Sequence, residues 1–195
     1  MDSSGVASSA WVLPALLELR ELHPELTALL QSNRTDTLLA LLLNGRLDIS
    51  FGSIRLSHPQ LRTEKVGVAR AGVYCGPPHP LYRKRKVTQD DVRTSDFVAP
   101  PLDDNGLPID GWPDEMERRV VVQVDRMRHG CEACLASPLL GVFPDLFAER
   151  ISRGELRRLP IEIIPATPVF ATLRPPIAEV TAAEVILDAV RARIR

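Results

Sequence analysis

The feature that most constrains this chain is where its prolines fall. There are 17, and they gather in residues 77–113 and 160–176. A proline lacks the backbone donor and clashes with the preceding helical turn. The two stretches are therefore the candidate linkers or crossovers, and helix and strand patterns alternate around them. That alternation predicts an α/β fold with no internal repeat.

Leu13, Leu16 and Leu17 fall on one helical stripe, flanked by Leu19 and Leu22. Pro14 is harmless only in a first turn, so the helix is expected to begin near Trp11. Ser8 and Ser9 then sit in the turn leading into it, and Pro24 ends it. Leu26 to Leu30 reads as a strand. Thr35 is the expected N-cap of a helix with Leu38, Leu41 and Leu42 on one face, stopped by Asn44-Gly45. Leu47 to Gly52 reads as a short buried strand, and the pairing implies a parallel βαβ unit with a right-handed crossover. Val66 to Cys75 reads as one long strand. Asp90 to Val92 suggests a short helix, Phe97 to Pro101 a strand, and Asp103 to Gly111 a loop. Pro113 to Arg119 is expected as a short helix and Val120 to Val124 as a strand. Residues 126–136 read as a helix, Leu139 to Phe143 as a buried strand, and Pro144 opens a helix to about Ser152. Val169 to Leu173 is a strand, and Thr181 caps a last helix with Val185, Ile186, Ala189 and Val190 on its apolar face.

A length of 195 residues gives one domain of ordinary size or two small lobes. Lys and Arg number 24 against 25 Asp and Glu, a net charge of -1, which argues against nucleic-acid binding through bulk charge. The basic run Arg83 to Lys86 is read as a solvated loop. Three cysteines do not make a disulfide scaffold and suit a reducing compartment. Cys131 and Cys134, with His129 beside them, invite a metal or redox reading. A zinc site needs about four ligands, however, and no second pair follows. On a helix the two thiols share a face and pack as small apolar groups. The acidic start is not that of a signal peptide, and no apolar run nears the ~20 residues needed to span a bilayer. A cytoplasmic protein without a membrane partner is expected. No nucleophile–His–acid set, phosphate loop or HExxH motif appears, so neither catalysis nor a cofactor nor a metal is expected.

The ordered set LPALLELRELHPEL, LLALLLNGRLDISFG, His79-Pro80-Leu81, Val120 to Val124 followed by helix, strand and Pro144, and GELRRLPI resembles the effector-binding domain of LysR-type transcriptional regulators. The resemblance spans about residues 5–194. It implies a two-lobed, type 2 periplasmic-binding-protein-like α/β fold with two crossover strands. Lobe one would be residues 1–73 plus 169–195, and lobe two 74–168. A small effector would bind in the cleft between the lobes, and the chain would form a homodimer or higher oligomer. DNA would be reached only through a helix-turn-helix that these residues do not contain. The segment Gly45 to Leu61 resembles the subgroup that senses aromatic catabolites and muconate-like acids, which points to an aromatic or dicarboxylic acid. The alternative is a type 2 solute-binding protein of a transporter. The first strand of lobe one should precede Gly5, where only four residues stand, so a truncated reading frame or a late start is expected.

The resemblance also nominates site residues. Ser8 and Ser9 lie where the family places a hydroxyl at the first helix's amino end, and Thr35 matches its second effector-contacting hydroxyl; each is also a candidate N-cap. Ser53 follows the strand end at Gly52, where the aromatic-sensing subgroup can carry an arginine, and Arg55 nearby is read as a solvated loop residue. Pro100 and Pro101 end a lobe-two strand whose backbone would meet the ligand, or simply terminate it. Asp125 and Met127 stand at the next strand-to-helix turn, with Asp125 expected to cap the helix. Pro138 replaces a glycine usual in the family.

Overall fold

The computed structural model describes residues 1–3, 11–31, 35–103, 105–175 and 181–194. They pack as two compact units. Unit 1 is Met1–Ala69 with Thr167–Arg195, and unit 2 is Arg70–Ala166.

Unit 1 is a sheet with strand order β1-β2-β9-β3, where β1 is Asp2–Ser3, β2 Ile49–Gly52, β3 Arg62–Ala69 and β9 Thr167–Leu173. β2 runs parallel to β1, while β9 is antiparallel to both β2 and β3. Helices α1 (Leu13–Leu22) and α6 (Ala182–Arg193) share one core with Ile49, Phe51, Val169, Ala171 and Leu173. Ile49 and Phe51 stand two apart, as alternation along a strand requires for one face. Helix α2 (Thr35–Leu43) places Leu38 and Leu42 in a separate cluster with Leu47. Gly45 ends it at φ +70°, a left-handed conformation that costs glycine little.

Several expectations need correcting here. The parallel partner of β2 is β1, not residues 26–30, which form no regular element and join no ladder. Leu26 and Leu30 pack against the core, but Ala28 between them is exposed along with Thr27 and Leu29, so the alternation of a strand is broken. The first strand, expected to be missing, is present as the two residues Asp2–Ser3 against Ser50 and Phe51. The Met1 ammonium donates to the Leu29 carbonyl at 2.9 Å, and the Gln31 N–H donates to the Met1 carbonyl at 3.2 Å. Val66 to Cys75 is two strands rather than one. β3 joins the first sheet and β4 (Ala71–Cys75) the second, with Arg70 between them.

Unit 2 is a sheet of order β6-β5-β7-β4-β8, with β5 Asp96–Ala99, β6 Arg119–Gln123, β7 Leu140–Pro144 and β8 Arg157–Arg158. Both faces are covered. Val73, Cys75, Phe97, Leu140 and Val142 pack on one side. Tyr74, Val98 and Phe143 pack on the other, against α4 (Met127–Ala136) and α5 (Asp145–Ser152). The His79-Pro80-Leu81 mark is a small cap. The His79 Nδ1 accepts the Leu81 N–H at 3.1 Å, Pro80 opens a 3-10 turn, and Leu81 is buried. Thr88 caps the short helix α3 (Gln89–Arg93) through a capping box with Asp91.

Pro113 to Arg119 is not a helix. The chain makes one turn there and then enters β6 as an extended run. The cause is a buried pair: both terminal nitrogens of the Arg118 guanidinium donate to Asp110, at 2.7 and 3.0 Å, with side chains only 6% and 8% exposed. The guanidinium also lies 5.0 Å from the Trp112 ring centre and 5.7 Å from Phe97. Tying residue 118 back to 110 across the rings leaves no path for a regular helix between them. Replacing Arg118 by Met should strand a buried carboxylate and cost about 3–5 kcal/mol. Urea denaturation would show it as a lower midpoint, whereas an unchanged midpoint would mean the pair is not structural.

Candidate functional site

In open α/β sheets, ligands meet the carboxyl ends of strands and the helix starts that follow them. In unit 1 this edge is the end of β2. Gly52 is half-buried, and Ser53 is exposed in the bend beyond it. The backbone of α2 begins at Thr35, whose side chain is outside the described part. Ser8 and Ser9 lie outside the described residues.

In unit 2 the structure brings the nominated residues to one edge. β5 and β6 are parallel neighbours, with Ala99 opposite Gln123, and the Ala99 carbonyl accepts the Val124 N–H at 3.0 Å. Pro100 and Asp125 therefore follow adjacent strands at the same end of the sheet. β5 stops at Ala99, so Pro100 and Pro101 lie beyond it, half-buried and exposed respectively. Neither proline has an N–H, so their backbone can offer only acceptors. Asp125 is exposed and is not the cap. The N-cap position of α4 belongs to Arg126, and no side chain bonds the first turn. Met127 opens the helix and packs half-buried on the core beneath.

Sequence reasoning missed a polar network in unit 2. The Tyr74 hydroxyl donates to Asp145 Oδ1 at 2.8 Å, and Arg158 Nε donates to the same oxygen at 3.1 Å. Arg158 also donates to both Glu162 oxygens, at 2.9 and 3.2 Å. Burial, with help from the Asp145 bond, raises the Tyr74 pKa, while Arg158 holds Glu162 below its usual value. The four residues lie on three separate stretches of chain, and only the arginine–glutamate spacing of four was visible in the sequence. Every member has a partner within the network, so it braces the unit rather than offering a free charge.

Cys131 and Cys134 lie inside α4 and are fully buried, as is Cys75 on β4. Burial pushes the Cys75 thiol up to about 11 and Cys131 up to about 12, and raises Cys134 as well. His129 is exposed, and no group of three or more metal-ligating side chains occurs among the described residues. Gly76 is fixed by the same packing, since a Cβ there would run into the Cys134 carbonyl oxygen.

A family model of the LysR substrate binding domain matches residues 2–195. The chain belongs to the LysR substrate-binding domain family. The match leaves no room within these 195 residues for a DNA-binding part. LysR domains belong to transcriptional regulators, which are not enzymes. The chain is similar to the cofactor-binding domain of the Cbl transcriptional regulator, at 17% identity over 98% of this chain and 86% of that one, with a TM-score of 0.79. It is also similar to the regulatory domain of MexT, a transcriptional activator in Pseudomonas aeruginosa, at 16% identity over 98% and 96% with a TM-score of 0.77. The regulatory domain of CrgA, a LysR-type regulator from Neisseria meningitidis, aligns at 16% identity over 100% and 97% with a TM-score of 0.74. At such identities the likeness carries the fold, the type 2 periplasmic-binding-protein-like arrangement of two α/β sheets. No curated protein matches the chain. No helix among the described residues is long and apolar enough to cross a membrane.

The thiols of this LysR domain should be silent. At pH 8 the native chain should not react with a thiol-exchange dye, while the chain unfolded in guanidinium should report all three cysteines. The unfolded thiols ionise first, near 9, so the folded form loses stability as the pH rises from there through about 11. Fast labelling of the native chain would contradict this.

Proposed function

We propose that this LysR domain is a cytoplasmic sensor that binds a small aromatic or dicarboxylic acid at the carboxyl ends of β2 and β5. The family match over residues 2–195 carries the reading, and it favours a regulator over a solute-binding protein of a transporter. The contacts would come from Ser53, with Ser8, Ser9 and Thr35, in unit 1, and from Pro100, Pro101, Asp125 and Met127 in unit 2. The hydroxyls supply donors to a carboxylate and the prolines supply carbonyl acceptors and apolar surface. An effector that prefers one arrangement of the domain shifts the population by its differential affinity. DNA would be reached through a helix-turn-helix outside these residues.

Thermal unfolding against a panel of aromatic and dicarboxylic acids tests the assignment. A ligand that binds only the folded chain adds about 2.7 kcal/mol at a hundredfold excess over Kd. The expected result is a raised midpoint with one compound, lost in Ser53→Asp because the added charge repels a carboxylate. An equal rise in the wild type and Ser53→Asp would place the acid elsewhere.

The domain is also proposed to form a side-by-side homodimer, with α1 and the segment after it against unit 2 of the second copy. Leu13 and Leu17 on α1 are 44% and 58% exposed, and Leu29 70%. In unit 2 the edge strand β6 presents Val121 and Val122 at 49% and 38%. Exposed apolar residues on an unpaired edge suit burial by a partner. Sedimentation should show a dimer that Leu17→Glu or Val121→Glu converts to monomer, and a wild-type monomer at high concentration would refute the arrangement.

A further inference from the structure

We propose that unit 1 carries a second small-molecule site, at the amino end of β2, for a carboxylic acid with an unbranched apolar chain. Two cavities adjoin there. One, of about 300 Å³, is walled by Leu19 of α1, Leu26, and Val185 and Ile186 of α6. The other, of about 610 Å³, shares Leu26, Thr27, Ala182 and Ile186 with the first and adds Arg46, Asp48 and Arg174. Together they make a groove that is apolar at one end and charged at the other.

The charge balance selects the ligand. The Arg46 and Arg174 side chains have no hydrogen-bond or ion-pair partner among the described residues, and neither has Asp48. Two guanidinium groups and the Met1 ammonium against the Asp48 carboxylate leave positive charge in excess, which suits an anionic head group such as a carboxylate and not a cation. At the apolar end the polar side chains are those of His23 and Glu25, which lie 3.5 Å apart and face one another. α6 opens on the groove with Ala182 and Ala183, so its first turn adds positive potential without adding bulk. A carboxylate held by arginine gains a charge-assisted hydrogen bond, and its chain gains burial against the leucine, isoleucine and valine walls.

The site is distinct from the strand ends assigned to the effector. Asp48 precedes β2, Ser53 follows it, and Arg174 follows Leu173, which pairs with Ile49. The two ends of β2 are about 10 Å apart at ~3.3 Å per residue. The inference stands whether or not the effector assignment does.

Calorimetric titration of the 195-residue chain with octanoate, and with octan-1-ol as its uncharged match, tests it. Octanoate should bind saturably and more tightly than octanol. Arg174→Gln and Arg46→Gln should each weaken octanoate about tenfold and leave octanol unchanged. Val185→Trp should weaken both by filling the apolar end, and the two glutamine variants carry the test should that one fail to fold. Ser53→Asp should leave octanoate binding as it is. No saturable octanoate binding to the wild type, equal affinity in the wild type and both glutamine variants, or loss of binding in Ser53→Asp would each overturn the proposal.

Discussion

The architecture of unit 1 depends on one late strand. β9 arrives after the whole of unit 2 and enters between β2 and β3, giving both of them an antiparallel partner. Without it, β3 would have no strand to bond and β2 only the two residues of β1. A buried strand edge with unpaired N–H and C=O groups is costly, so the first sheet is complete only when residues 167–173 have returned. Unit 2 is continuous in sequence and needs no such return. The chain can therefore close unit 2 from local segments, while unit 1 must wait for contacts more than a hundred residues apart, such as Arg62 with Glu184 at 2.7 Å.

Unit 2 meets a different constraint, the long proline-containing path from β5 to β6. A loop of that length at a strand end would wander unless something fixed it. The Asp110–Arg118 pair does so from inside, with Trp112 and Phe97 as the surface on which the guanidinium rests. The pair stands immediately before β6, so it also sets where that strand begins and hence which residues follow its end. Asp125 and Met127 take their places at the sheet edge from this anchoring. The residues proposed to meet a ligand are thus positioned by groups outside the proposed site.

Much of this was legible in the sequence where local rules govern. Proline and glycine punctuation marked the ends of α1 and α2, Thr181 does cap α6, and the paired apolar spacing of the central strands gave β7 and β9. What escaped depends on distant partners. Residues 26–30 carry the composition of a strand, but the edge they approach is met through Met1 and Gln31, so they join no ladder. Val66 to Cys75 has no internal stop signal, and the break at Arg70 exists because its two halves belong to different sheets. Pro113 to Arg118 has helical composition and is held out of helix by the bond to Asp110. The Tyr74–Asp145–Arg158 network follows the same logic: each residue is unremarkable in its own segment, and only the fold makes them neighbours.

Each end of β2 carries a proposed ligand site, and whether two such ligands would influence one another is a physical question. Coupling requires an element with two states that each ligand biases differently. β2 itself is a poor candidate. Ile49, Ser50 and Phe51 are all buried, and the strand is bonded along its length to β9, so it has no room to shift in register. The neighbours of the charged cavity are better placed to move. Met1, the segment from Leu26 through Gln31 and the start of α6 line it with few ladder bonds among them. A carboxylate drawn between Arg46 and Arg174 would order that side of unit 1, and any effect on the far end of β2 would have to pass through α1 and α6, which share the core with Phe51.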